Sequence, residues 1–196
     1  MTVTEPNGGT RFGRTVIEAV VGELIDQSVQ AILYPANSRG VMGAGSTNSI
    51  RLAGGQEVER EAMAKAPIEL GKAIVTSAGR LQERGIESVI HAVIVPGLGD
   101  APKSTTVVRA IDSALELATE HRLSSLAIPL IGVGADSPDE ERAAAAQSLV
   151  ETVVKYVRRP GSRIERLVFV CRFDDDRASV NEAIAQSRQR SWTTPA

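Results

Sequence analysis

Apolar and polar positions along this chain follow two alternating periods. Short runs rich in β-branched and aliphatic residues occur at 15–21, 31–34, 72–78, 88–93, 125–131 and 166–171. Each has strand length, and most are apolar without a break, as expected for strands covered on both faces. Between them the spacing turns helical. Val107, Val108, Ile111, Ala114, Leu115 and Ala118 predict one helix, with Ser104 or Thr105 as its N-cap. Ser137-Pro138-Asp139-Glu140 predicts the start of another, with a capping serine, a proline in the first turn and a glutamate three residues past the cap. It should end near Val157, before Arg158-Arg159-Pro160-Gly161. A further helix contains Ile50 and Ala53, and the last begins in the acids Asp174 to Asp176. Those acids complement a helix dipole, so no metal is needed to explain them. Strands alternating with helices predict an α/β fold, a three-layer α/β/α sandwich on a mixed, largely parallel six-stranded sheet. One domain is expected over 12–187, with flexible tails at 1–11 and 188–196 that lack apolar periodicity; Trp192 lies in the second.

Composition narrows the function. With 196 residues and 42% hydrophobic content, the chain can bury the core of a single domain. Its 22 basic and 24 acidic residues give a net charge of -2, which supplies no broad field for collecting nucleic acid. A polyanion would need a local pocket. Cys171 is the single cysteine, so no intrachain disulfide can form, and Phe169 and Val170 beside it mark a buried strand thiol. No run approaches the roughly 18 apolar residues of a membrane span, and no leader pattern opens the chain. A cytoplasmic protein without membrane partner, metal or cofactor is the expectation.

Candidate chemistry concentrates between Ile32 and Gly55. An apolar strand leads to Asn37 and Ser38, then Gly40, Gly43 and Gly45, then a helix. Glycines at such a junction let backbone amides approach a ligand, and the helix N-terminus beyond favours negative charge. Taken alone, glycine turns serve tight packing at least as often. The third glycine of the dinucleotide fingerprint is missing, and no Gly-Lys-Ser/Thr follows as a P-loop requires. A second glycine loop runs from Ile128 to Asp136, again between a strand and a helix. Two such loops would face one crevice at the strand C-termini.

Tyr34-Pro35-Ala36-Asn37-Ser38, Gly43-Ala44-Gly45 and Ala53-Gly54-Gly55 follow one another without a gap, and this order resembles the macrodomain family. The resemblance extends over roughly residues 14 to 184. It includes Leu70-Gly71-Lys72-Ala73 and Val89-Ile90-His91-Ala92-Val93, where His91 reads as a packed strand residue. The resemblance implies a cleft for ADP-ribose or an ADP-ribosylated macromolecule. Glu23, in Val21-Gly22-Glu23-Leu24, would hold the adenine amino group with Leu24 beside it. Gly43, Ala44, Gly45 and Ser46 would clamp the diphosphate from one side. Gly132, Val133, Gly134 and Ala135 would clamp it and the distal ribose from the other, followed by Asp136. Phe173 is the candidate to stack on adenine, with a core role equally open.

Two departures bear on chemistry. In one hydrolytic branch of the family an asparagine, here Asn37, is joined by an aspartate ten residues later, where Thr47 stands. A threonine hydroxyl cannot replace a carboxylate in activating water. In a second branch a catalytic lysine stands where this chain has Ala44. With Asn37 the sole catalytic candidate, a reader or scavenger of ADP-ribose is the favoured reading. An ADP-ribosyl or O-acetyl-ADP-ribose hydrolase is the second, and a macrodomain-shaped protein binding another nucleotide, or nothing, is the third. Tyr34 replaces the first asparagine of the family pattern, and Asp136 replaces the aromatic residue that usually flanks the distal ribose.

Overall fold

The computed structural model describes residues 8–43, 48–134 and 136–190. Seven strands form one sheet: β1 (Thr10–Phe12), β2 (Thr15–Val21), β3 (Ala31–Asn37), β4 (Ala73–Ser77), β5 (Ser88–Val95), β6 (Ser125–Pro129) and β7 (Arg166–Cys171). Their order is β1-β2-β7-β6-β3-β5-β4. The five inner strands β2, β7, β6, β3 and β5 run parallel, and the edge strands β1 and β4 are antiparallel to their neighbours. The helices are α1 (Asn48–Gly54), α2 (Gln56–Ala64), α3 (Ser104–Glu120), α4 (Asp139–Val157) and α5 (Asp174–Arg190).

Strand residues alternate between two cores, as the two-residue repeat requires. Leu33, Ile90, Ile128 and Phe169 face α3, α4 and α5 on one side. Ile32, Val89, Ala127 and Val168 face α1, α2 and the turns around Leu24 and Leu81 on the other. This is the expected three-layer sandwich. The strand beyond the expected six is β1, which begins inside the stretch read as a tail. Three residue pairs with β2 and burial of Phe12 hold it there. Helix α5 likewise runs on to Arg190. Helix α2 had no clear apolar pattern because only Val58 and Ala62 on it are buried.

The predicted caps differ from those observed. Lys103 occupies the N-cap position of α3, and Ser104 is already helical. Pro138 occupies that position for α4, while the Ser137 hydroxyl accepts the Gly134 N–H at 3.1 Å. The serine therefore braces the preceding glycine loop.

β3 and β6 pair only at Ala31 with Leu126 and Ile32 with Ala127, after which their ladder ends. Pro35 lies beyond this point on β3, and Pro129 closes β6. Neither proline has an N–H for a ladder, so the sheet parts at the C-terminal ends of its two central strands. Chain connections also leave β3 and β6 toward opposite sheet edges, which makes this the topological switch point. No helix among the described residues is long and apolar enough to cross a membrane.

His91 is a packed strand residue. It has no exposed surface, its Nε2 lies 2.9 Å from Thr76 Oγ1, and its ring sits 5.4 Å from that of Tyr34. Burial, followed by repulsion from Lys65 and opposed by Glu61, pushes its pKa down to about 4. The unfolded chain therefore takes up a proton that the native state refuses, and stability falls as pH drops from 6.5 toward about 4. The full effect is on the order of 3 kcal/mol. Urea unfolding across this range should show the fall, and His91→Gln should flatten that slope whatever its effect at neutral pH. Burial, with a smaller effect of Asp176, raises the Cys171 thiol to about 12. Iodoacetamide should therefore label Cys171 only after denaturation, as intact-mass measurement would show.

Candidate functional site: a cleft between two glycine loops

The first loop begins where the pairing register shifts between Ala36 and Asn37. Asn37 is buried, and its amide organises the turn. Its Oδ1 accepts the Arg39 N–H at 3.0 Å, and its Nδ2 donates to the Val41 carbonyl at 2.7 Å. Gly40 follows with φ +69, and a Cβ there would stand 2.6 Å from the backbone carbon and oxygen of Ala62. Both the left-handed conformation and the close approach to the end of α2 require glycine. The Met42 N–H donates to Glu59 Oε1 at 2.7 Å, and the Gly43 N–H to the Tyr34 hydroxyl at 3.1 Å. Several loop amides are thus held by protein oxygens, including that of Gly43, which the sequence assigned to a ligand. Ala44, Gly45, Ser46 and Thr47 lie outside the described residues.

The second loop leaves β6 at Pro129. Gly132 has φ +91, and its Cα faces Val107 so closely that a Cβ would stand 3.1 Å from Cγ2. Val133 and Gly134 then reach a cavity also lined by Glu23, Leu24 and Phe173, so five of the predicted residues converge there. Glu23 accepts the Ser49 hydroxyl of α1 at 3.3 Å. Phe173 is 43% exposed, which removes the core role left open for it. A second cavity adjoins the first through Pro129, Leu130, Val133 and Gly134, and extends past Pro35 to Gly132, Ser137 and Glu141. Asn37, Gly43 and Asp136 line neither cavity, and Asp136 is exposed beside them in a turn. Ala135 lies outside the described residues.

The structure adds residues that the sequence did not single out. Arg142 of α4 and Asp176 of α5 line the first cavity as a buried ion pair, with Nε 3.2 Å from Oδ1. Arg142 also reaches Asp139 at 3.2 Å, and its guanidinium lies 5.4 Å from the Phe173 ring centre. Arg172 approaches the same ring at 5.9 Å. Two cations near one ring provide favourable electrostatics at the ring face, and Glu23 and Asp176 balance their charge in the cavity. Asp176 was visible only as one of three acids at a helix start, and its neighbours Asp174 and Asp175 remain exposed. Arg142 carried no signal, because its partners come from its own helix and from another.

The Macro domain family model matches residues 34–147. An uncharacterised protein of Aquifex aeolicus is 39% identical over 140 residues, covering 71% of this chain and 82% of that protein. A macro domain-containing protein of Caldanaerobacter subterraneus is 34% identical over 168 residues, covering 82% and 90%. A rat protein named ADP-ribose glycohydrolase is 29% identical over 166 residues, covering 83% of this chain and 62% of that protein. Among solved structures, the Oceanobacillus iheyensis macrodomain with ADP superposes with a TM-score of 0.77 at 21% identity, covering 93% of this chain and 96% of the other. The Trypanosoma brucei macrodomain in complex with ADP-ribose gives 0.73 at 20% identity, covering 86% and 68%.

The loop geometry has a direct consequence. Gly40→Ala must adopt a left-handed backbone and displace the end of α2, with a cost of at least about 1–2 kcal/mol from the conformation alone. A lower urea midpoint with an unchanged denaturant slope is the expected outcome.

Proposed function

This chain belongs to the macrodomain family, and from that premise and the geometry of its cleft we propose that it binds ADP-ribose or an ADP-ribosyl group. The observation that carries the proposal is the convergence of Glu23, Phe173, Val133 and Gly134 on one cavity at the parted strand ends. Adenine enters between Glu23, which accepts from its amino group, and the face of Phe173. The diphosphate lies between the two glycine loops. The distal ribose extends toward Gly132, Ser137 and Glu141, along the adjoining cavity. Asp136 at the loop's end disfavours an added terminal phosphate by charge repulsion.

The role we propose is that of a reader or scavenger, with weak or no hydrolysis. Thr47 and Ala44 offer neither the carboxylate nor the amine used by the two hydrolytic branches of the resemblance. The amide of Asn37 is already engaged in its own turn. An acid or base group contributes about 10²- to 10⁴-fold, so its loss leaves little turnover. The name of the rat relative favours the second reading, hydrolysis by another set of groups. Release of ADP-ribose from a glutamate-modified substrate separates the two. Slow or no release by the natural chain, with gain in Thr47→Asp, supports the reader. Robust release that Asn37→Ala leaves unchanged overturns it.

Binding itself is tested by calorimetric titration with ADP-ribose. Gly134→Glu should abolish it, because a carboxylate would stand where the diphosphate must pass. Glu23→Gln should weaken it by about 10- to 100-fold through loss of a charge-assisted hydrogen bond, and should reduce discrimination against an inosine analogue. Normal binding by a folded Gly134→Glu variant would overturn the placement.

A further inference from the structure

The end of the sheet opposite the ligand cleft carries another opening. Arg14 from the turn before β2, Arg158 and Arg159 from the end of α4, and Arg163 from the segment leading to β7 line it, with no carboxylate among the lining residues. In a chain of net charge -2, four arginines from three segments form a marked local concentration. The dipole of α4 accounts for cations at its own C-terminus, but not for Arg14 or Arg163, which lie on separate segments.

The arrangement is partly built in advance. Arg158 lies over the Phe12 ring at 5.2 Å, and Arg159 over Tyr156 at 4.9 Å. Arg163 has no ion pair among the described residues. Arg14 meets Glu165 at 3.1 Å with both side chains more than half exposed, and Arg159 meets Asp112 at 2.7 Å and Glu116 at 3.8 Å. Exposed pairs of the first kind are weakly held and exchange readily for another anion. Gly13 and Gly161 have φ +59 and +94, and a Cβ at either would meet nothing within 4 Å, so the floor between the arginines is open. Ser162, 7% exposed, lines the same opening, and its Oγ has no hydrogen-bond partner among the described residues.

We propose that this opening binds the phosphodiester backbone of a nucleic-acid strand, at a site separate from the ADP-ribose cleft. Guanidinium groups match phosphate oxygens in paired hydrogen bonds, and all four cations here are arginine. A single phosphate engages one or two guanidiniums. Four of them, presented from three segments around an open floor, suit an extended ligand with repeated phosphates. The weak overall charge is consistent with this, because recognition here depends on a local cluster rather than on a field across the molecule.

Fluorescence anisotropy of the full chain with labelled oligothymidine, and with a duplex of equal length, provides the test. Binding should weaken with salt with a log–log slope of about -2 to -3 for the single strand, as about four phosphate contacts require. The double substitution Arg14→Gln with Arg163→Gln removes the two cations that do not pack on aromatic rings. It should weaken binding about tenfold at low salt and flatten the slope by about 1 to 2. Calorimetric affinity for ADP-ribose and the urea midpoint should stay as in the natural chain, which separates failure of this site from failure of the other. The absence of salt-dependent binding, or binding that the double substitution leaves intact, overturns the proposal. Thermal stabilisation by inorganic phosphate without oligonucleotide binding, or capture by phosphatidylserine vesicles alone, overturns it in favour of a single phosphate or a lipid surface.

Discussion

The partial pairing of β3 with β6 is the constraint on which the ligand cleft depends. Ala31 and Ile32 join these strands, and the ladder stops before Pro35 and Pro129. A fully paired sheet would close the space that the two glycine loops border. A fully separated one would lose the two-faced core, since Ile32, Leu33, Leu126 and Ala127 are all completely buried. Pairing at one end and parting at the other satisfies both demands. Prolines accomplish this at low cost because they remove donors where no acceptor will be met.

The cleft's polar groups are arranged by contacts outside it. Arg142 carries charge into the first cavity, but Asp139 and Asp176 position it from two helices, and Asp176 is buried only because α5 packs beside α4. A buried cation without such partners would be strongly disfavoured. The same logic governs the loops. The Tyr34 hydroxyl takes the Gly43 N–H, the Ser137 hydroxyl takes the Gly134 N–H, and Glu59 takes that of Met42. Each loop is therefore shaped by the protein, and in the proposed function a diphosphate would exchange with the neutral Ser137 hydroxyl at the Gly134 amide, which lines both cavities. A charged acceptor makes the stronger hydrogen bond, so that exchange is favourable.

The two ends of the sheet divide the electrostatic work. At the strand C-termini a mixed cavity combines Glu23 and Asp176 with Arg142 and Arg172 around an aromatic ring. At the N-terminal ends the opening is lined by four arginines, of which Arg14 and Arg159 are met by Glu165 and by Asp112 from outside the lining. A net charge near neutrality conceals this separation, because acidic residues gather elsewhere, as in the first turns of α4 and α5.

The sequence by itself determined the α/β class, six of the seven strands, the helices with dense apolar stripes and the glycine loops that border the cleft. It did so because these features are local: continuous apolar runs mark two-sided strands, and glycine marks backbone that other residues cannot adopt. Glu23, Leu24, Val133, Gly134 and Phe173 were legible through the resemblance, and the structure brings them to one cavity. Tertiary structure alone decided the rest. β1 exists only through pairing with β2, and α2 is held by two buried residues too sparse to form a readable stripe. Ser137 looked like a helix cap, yet its hydroxyl is drawn to Gly134. Asn37 was singled out as the catalytic candidate, and only the folded chain shows that its amide also organises its own turn. Arg142 had no linear signature, and Arg158, Arg159 and Arg163 stood together in the chain without showing that Arg14 joins them, because that depends on which segments meet, and segments distant in the chain meet only in the folded sheet.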